Sequence, residues 1–170
     1  MPRKLFRVGR SRTGLGLFAT KPIKRRAIIV EYKGPRVTNK EAERLEAADS
    51  RYMYELNSRW TVDGSGRSNT ARYANHSCRP NAESDVIRGP RAHGRKGGMV
   101  IIRAIRNIKP GDEITYDYGR DYFNGFLKPI GCKCPKCIEK RREERRAKLR
   151  ATKRRKTSEK NLRRKKRLGL

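Results

Sequence analysis

Acidic residues are scarce in this chain. Its 170 residues include 17 Asp and Glu against 46 Lys and Arg, a formal net charge of +29. Aromatic residues make up 7% with a single tryptophan, and hydrophobic residues 34%. So small an apolar share confines the core to part of the chain. Long apolar runs are missing as well. The longest, Ala27 to Val30 and Met99 to Ile102, fall far short of the ~20 residues that span a bilayer as a helix. No membrane partner is therefore expected. The basic start Met1-Pro2-Arg3-Lys4-Leu5 has no apolar stretch behind it, so a secretory leader is not expected either. The sequence points to an intracellular protein of the nucleus, nucleoid or cytoplasm. Cysteine is also rare, with four in all, and their crowding is unlike a secreted disulfide framework. What is left is one domain with a tail, and the charge points first to an acidic partner.

The charge is unevenly placed. Residues 139–170 hold 17 Lys and Arg and 4 Asp and Glu, or +13, which leaves +16 for residues 1–138. The tail has no aromatic residue and few aliphatic ones. Such a segment buries too little surface to offset its ordering entropy. It reads as a charged helix that frays into disorder. Its clusters Lys153-Arg154-Arg155-Lys156 and Arg163 to Arg167 are of the nucleic-acid or nuclear-import kind. A tail that only solubilises is the plainer alternative.

Three cysteines crowd together as Cys132, Cys134 and Cys137, while Cys78 stands alone. Zn²⁺ takes four tetrahedral ligands and binds thiolates well. The cluster supplies three, and Cys78 is the only cysteine left for the fourth. The alternative is reduced thiols without a metal, against which stands the mutual repulsion of clustered thiolates.

The first 138 residues read as many short strands and one helix. Strands are expected over Leu5–Val8, Gly16–Ala19, Ala27–Tyr32, Tyr52–Leu56, Trp60–Val62, Asp85–Arg88, Met99–Ile105 and Glu113–Tyr116. Thr38-Asn39-Lys40-Glu41 fits a capping box that opens a helix. Arg88 to Gly98 reads as a polar loop in which His93 is solvated. This is a mostly β domain of several small sheets, without alternating βαβ units. Gly14-Leu15-Gly16 lacks the third glycine and following helix of a dinucleotide fingerprint.

Two blocks carry more information. One is Arg72-Tyr73-Ala74-Asn75-His76-Ser77-Cys78-Arg79-Pro80-Asn81, the other Gly111-Asp112-Glu113-Ile114-Thr115-Tyr116-Asp117-Tyr118-Gly119. With Gly14-Leu15-Gly16-Leu17-Phe18-Ala19 upstream, Glu31-Tyr32-Lys33-Gly34 and Tyr52-Met53-Tyr54 between, and cysteines after, the chain resembles the SET-domain protein lysine methyltransferases. The likeness covers about residues 3 to 138. It implies a β-clip-like SET fold with a knot-like crossing over residues 1–128, a post-SET zinc segment over 129–138 and a basic tail over 139–170. It looks like a minimal version, of bacterial or viral type.

The resemblance also implies chemistry. A methyl group would pass from S-adenosylmethionine to a lysine amine. The amine must be neutral, although a free lysine has a pKa near ~10.4. Tyrosine suits such a site, since its ring walls an apolar channel and its hydroxyl orients an amine without adding charge. By resemblance Tyr118 is the catalytic tyrosine, and Tyr32, Tyr52 and Tyr116 line the channel; the direction of Tyr54 is open. Tyr116 stands where the family carries Phe or Tyr, which implies a product limited to monomethyllysine. Gly14, Leu15, Gly16, Leu17, Arg72, Asn75, His76 and Tyr118 would hold the cofactor. Cys78, Cys132, Cys134 and Cys137 would hold zinc, although the two-residue gap before Cys137 is shorter than the family's usual one. The expected partners are a histone-like or nucleoid protein as substrate and DNA on the tail, with the enzyme a monomer. The main alternative is an idle SET-like domain that binds DNA or chromatin through its tail. A zinc-knuckle nucleic-acid protein is less apt, because the tail lacks stacking aromatics.

Overall fold

A computed structural model describes residues 4–89 and 98–167. The chain divides into two compact units, Met1–Ile130 and Gly131–Leu170. Most of the expected loop between Arg88 and Gly98, His93 included, lies outside the described residues.

The first unit is built of short strands in three small sheets. Strands β1 (Phe6–Ser11) and β2 (Gly14–Ala19) form a hairpin with Ser11 opposite Gly14. Gly14 sits at φ +113°, a conformation that side chains rarely adopt. β2 pairs antiparallel with β10 (Glu113–Tyr116), which runs parallel to β7 (Asn75–His76). The second sheet runs β3 (Ile28–Tyr32), β9 (Met99–Ala104), β8 (Ala82–Ile87), all antiparallel. The third runs β4 (Arg36–Thr38), β6 (Trp60–Asp63), β5 (Met53–Glu55).

Hydrophobic patterning explains the sheet centres. Val100, Ile101 and Ile102 are consecutive and all buried, as a central strand covered on both faces requires. Leu17, Val62, Ile108 and Ile114 join them in being fully buried, each side chain contributing about 1.5–3 kcal/mol. Helix α1 (Asn39–Ala47) starts where the capping box places it, with the Thr38 hydroxyl accepting from the Glu41 N–H at 3.3 Å.

Several strands differ from expectation: β1 runs on to Ser11, β2 starts at Gly14, and β4 and β7 are additional. β8 begins at Ala82, three residues earlier than the sequence indicates, because its register with β9 runs on through Ala82 opposite Ala104. Polar Glu83 and Ser84 mask it; Asp85, which follows them, accepts a hydrogen bond from Arg103 on β9 at 3.0 Å. β4, with Val37 its one apolar residue, is held by its pairing with β6.

After β10 the chain turns at Gly119 into α2 (Arg120–Tyr122), a π-helical turn over Phe123–Leu127 and α3 (Lys128–Ile130). The second unit is dominated by α4 (Pro135–Arg167), 33 residues long and thus about 50 Å. The expected fraying does not interrupt it before Arg167. Pro135 occupies its first position, no glycine or proline follows before its end, and Lys140–Glu144 and Arg155–Glu159 pair one turn apart. No helix among the described residues is long and apolar enough to cross a membrane.

Candidate active site

Six tyrosines converge in the first unit. Tyr32, Tyr52, Tyr54, Tyr116, Tyr118 and Tyr122 line one cavity of about 80 Å³, with Arg51, Met53, Arg72 and Ser84 completing its wall. Tyr32 and Tyr116 are the last residues of β3 and β10, so strand ends aim them. The Tyr32 hydroxyl donates to the Tyr52 carbonyl at 2.9 Å, and the Gly64 N–H donates to the same carbonyl at 2.8 Å. Tyr54 donates to Ser84 Oγ at 2.9 Å and Tyr118 to the Ala74 carbonyl at 2.8 Å. Ring centroids lie 5.8 Å apart for Tyr32 and Tyr54, 4.8 Å for Tyr116 and Tyr118, and 5.0 Å for Tyr118 and Tyr122.

The electrostatics of this cavity favour neutral phenols. Burial pushes the Tyr32, Tyr116 and Tyr118 hydroxyls well above the ordinary tyrosine value, and Tyr122 upward as well. At neutral pH these groups donate and accept hydrogen bonds, but none serves as a base. The Arg72 guanidinium lies over the Tyr52 ring, 4.0 Å from its centroid, and donates to the Ser65 carbonyl. A volume of about 80 Å³ is far below the roughly 300 Å³ and more of a small-molecule pocket. It admits a slender side chain end-on.

Beside the tyrosines, the two motif blocks are laced together. Asn75 pairs with Thr115 and His76 with Tyr116 in the parallel ladder. The Ser77 N–H donates to the Tyr116 carbonyl at 3.1 Å, and the Asn81 amide donates to the Glu113 carbonyl at 2.8 Å. The expected crossing of the two segments takes this form. The Asn75 side-chain amide donates to the Leu15 carbonyl at 2.9 Å and to Glu113 Oε1 at 2.7 Å, where Ser11 Oγ also donates at 2.7 Å. A Cβ on Gly16 would stand 2.9 Å from Ser11 Cβ and 3.1 Å from Asn75 Nδ2, so only glycine fits here. His76 Nδ1 accepts from the Tyr118 N–H at 3.2 Å, which puts the ring proton on Nε2, 3.3 Å from Cys78 Sγ. Burial lowers the His76 pKa, in keeping with a neutral ring.

The second unit gathers thiols. The sulfurs of Cys132, Cys134 and Cys137 lie within 4.8 Å of one another. The short gap between the last two is accommodated by the start of α4: the Cys134 carbonyl accepts from the Ile138 N–H at 3.0 Å, and Cys137 falls in the first helical turn. Burial, with neighbouring thiols adding to it, pushes the Cys132 thiol up to about 11. Crowded buried thiols gain from a cation that takes them as thiolates, and this donor set fits zinc.

A profile of the SET domain matches residues 14–119. The chain belongs to the SET-domain family. It is 35% identical over 126 residues to human histone-lysine N-methyltransferase 2D, covering 71% of this chain and 2% of that protein. It is 32% identical over 130 residues to the H3 lysine-4 specific histone-lysine N-methyltransferase of Kluyveromyces lactis, covering 72% and 12%. Among solved structures, a chain of a humanized mutant of the Chaetomium thermophilum Polycomb Repressive Complex 2 superposes on 68% of this chain over 15% of its own length, with a TM-score of 0.60 and 27% identity. The chain thus spans a small fraction of the curated relatives' length.

Within this SET domain the expected residues divide into two groups. Tyr32, Tyr52, Tyr116 and Tyr118 meet in the cavity, and Arg72, expected beside the cofactor, also lines it. Gly14, Leu15, Gly16 and Leu17 form the first part of β2, joined to Asn75 through the Leu15 carbonyl; the Leu17 side chain is fully buried and so offers only backbone. Sequence reasoning left Tyr54 undirected and missed Tyr122, Arg51, Ser84 and the Glu113 carboxylate. A tyrosine two residues from another on a strand shares its face, a signal that favoured Tyr54 together with Tyr52. Glu113 was visible only as a letter of its motif.

Proposed function

We propose that this SET domain transfers a methyl group from S-adenosylmethionine to a lysine side chain of a histone-like or DNA-associated protein. The observation that carries the reading is the narrow cavity walled by six tyrosines, in which burial holds the Tyr32, Tyr116 and Tyr118 hydroxyls in their neutral form. An aliphatic stem gains from ring contact, and an uncharged amine gains hydrogen-bond partners without a counter-charge. The relatives' names, which specify histone lysines, support the substrate class.

Tyr118 orients the amine for in-line attack, and Tyr32, Tyr52 and Tyr116 hold the stem. Bound S-adenosylmethionine supplies an electrophilic methyl on a sulfonium. The backbone of Gly14 to Leu17, with Asn75 and His76, holds it. The fit rests on Gly14, where a Cβ would meet nothing within 4 Å, so the backbone at that residue is open to a ligand. Tyr116 limits the product to monomethyllysine by filling space that further methyl groups need. Cys132, Cys134 and Cys137 would hold zinc, the ion their thiol chemistry suits, with Cys78 as the fourth ligand that the family resemblance implies. The enzyme is proposed to act as a monomer. The 17 Lys and Arg of residues 139–170 bind DNA phosphates and bring the enzyme to DNA-associated substrates, as in a nucleus or nucleoid.

The test is incubation with labelled S-adenosylmethionine and core histones, with the methylated residue read by mass spectrometry. Labelled monomethyllysine is the expected product. Absence of S-adenosylmethionine binding by calorimetry would instead favour an idle domain that acts through its tail.

A further inference from the structure

We propose that Arg72 is an electrostatic positioning residue that keeps a lysine entering the tyrosine cavity in its neutral amine form. The inference rests on the reading of that cavity as a lysine channel. Ten residues line it, two of them arginines and none a carboxylate. A cationic ammonium would find only like charge and neutral phenols there, and an amine would find hydroxyls.

The two arginines are not equivalent. Arg51 binds Asp49 through two nitrogens and lies over the Phe126 ring, so its charge is offset. Arg72 has no carboxylate partner among the described residues. Its guanidinium is wedged against Tyr52, with Tyr73 5.7 Å away, and holds the Ser65 carbonyl. Its buried Nε–H has no acceptor among the described residues. A residue kept for packing alone would be replaceable by an apolar one of that length, without the cost of an under-satisfied cation. The carboxylates that act on the wall are not among its lining residues. Asp63, at the end of β6, acts on Tyr32 and accepts from the Ser65 N–H. Glu113, at the start of β10, acts on Tyr118 and is held by Ser11 and Asn75. The remaining titratable lining groups are the tyrosines, of which burial keeps Tyr32, Tyr116, Tyr118 and Tyr122 neutral.

The consequence is a proton lost to bulk water before the amine enters. The methyl step then forms an N–C bond and breaks the C–S bond of the sulfonium, leaving a methylammonium and a thioether. A unit charge about 6 Å away, at an effective dielectric near 20, lowers an amine pKa by up to about two units. Partial exposure of Arg72 leaves about one.

The experiment measures single-turnover methylation of core histones against pH, using the full chain with labelled S-adenosylmethionine. Wild type, Arg72→Gln and Arg72→Lys are compared. Arg72→Gln is expected to move the apparent pKa of the rate up by about one unit. At neutral pH the rate then falls about tenfold, and the curves converge at high pH. Arg72→Lys, which keeps the charge, is expected to restore the wild-type profile. Should Arg72→Gln fail to fold, Arg72→Met takes its place. Superimposed profiles, or a rate loss equal at every pH, overturn the assignment to Arg72 while leaving lysine methylation standing. No methylation by any form overturns both.

Discussion

The substitution Gly64→Ala tests the cavity without touching any tyrosine. Gly64 has no positive φ, so alanine is conformationally allowed. Its Cβ, however, would collide with the hydroxyl end of the Tyr32 ring. Tyr32 cannot yield cheaply, because it is 5% exposed and its hydroxyl shares the Tyr52 carbonyl with the Gly64 N–H. Overpacking a buried site costs about 1–3 kcal/mol, and losing the Tyr32 hydrogen bond adds about 1 kcal/mol. The expected loss is therefore about 2–4 kcal/mol. Trp60 is the only tryptophan and lies on β6 of the same sheet as Tyr54, so its fluorescence reports urea unfolding of this unit. At about 2 kcal/mol per M the midpoint falls by about 1–2 M. The decisive control is the same change in a Tyr32→Leu background. There the ring is gone, and Gly64→Ala costs less than about 0.5 kcal/mol. The coupling energy is then at least about 1.5 kcal/mol. If Gly64→Ala costs the same in both backgrounds, within about 0.5 kcal/mol, the packing of Tyr32 on residue 64 is refuted.

Three further outcomes follow from the site. Tyr116→Phe removes one hydroxyl and no ring, so the product shifts from monomethyllysine toward dimethyllysine by mass spectrometry; abundant trimethyllysine from the unaltered chain would refute the role of Tyr116. Metal analysis of folded protein is expected to give about one equivalent of zinc, and Cys137→Ser to lower both zinc content and thermal stability; less than about half an equivalent counts against the thiol site. A chain ending at Leu149 loses eleven Lys and Arg with one Glu, so its DNA affinity is lower and its log–log salt slope shallower; an unchanged slope removes the tail from DNA binding.

Much of the fold is readable from residues whose local preference and tertiary role agree. Val100 to Ile102 is a central strand by its apolar run, and Thr38 starts α1 by its hydroxyl. β4 and the start of β8 are not readable, because Arg36, Glu83 and Ser84 are held by cross-strand pairing and not by their own propensity. The same division runs through the site. Tyr32, Tyr116 and Tyr118 are legible because they stand inside motifs. Tyr54, Tyr122 and Arg51 acquire meaning only when three sheets and the turn after Gly119 converge on one cavity. Arg72 shows the limit most clearly. Its place three residues before Asn75 associates it with the cofactor block, and the turn over Thr70–Tyr73 also sets its guanidinium over the Tyr52 ring.

The large charge and the small cavity act on different scales, and that separates their effects. At physiological ionic strength charges are screened beyond about 8 Å. A helix about 50 Å long therefore keeps most of its charges out of reach of any single amine. On the proposed reading its cations set where the protein binds, and only a charge within that range can set the protonation of a lysine in the cavity. The Arg72 charge is close and partly shielded from solvent, so it can. Raising salt should accordingly weaken methylation of a DNA-bound substrate at limiting concentration. At saturating substrate without DNA, the pH profile of the rate should stay in place. A profile that moved with salt as far as it moves on loss of Arg72 would mean that long-range charge, and not the cavity wall, governs the amine.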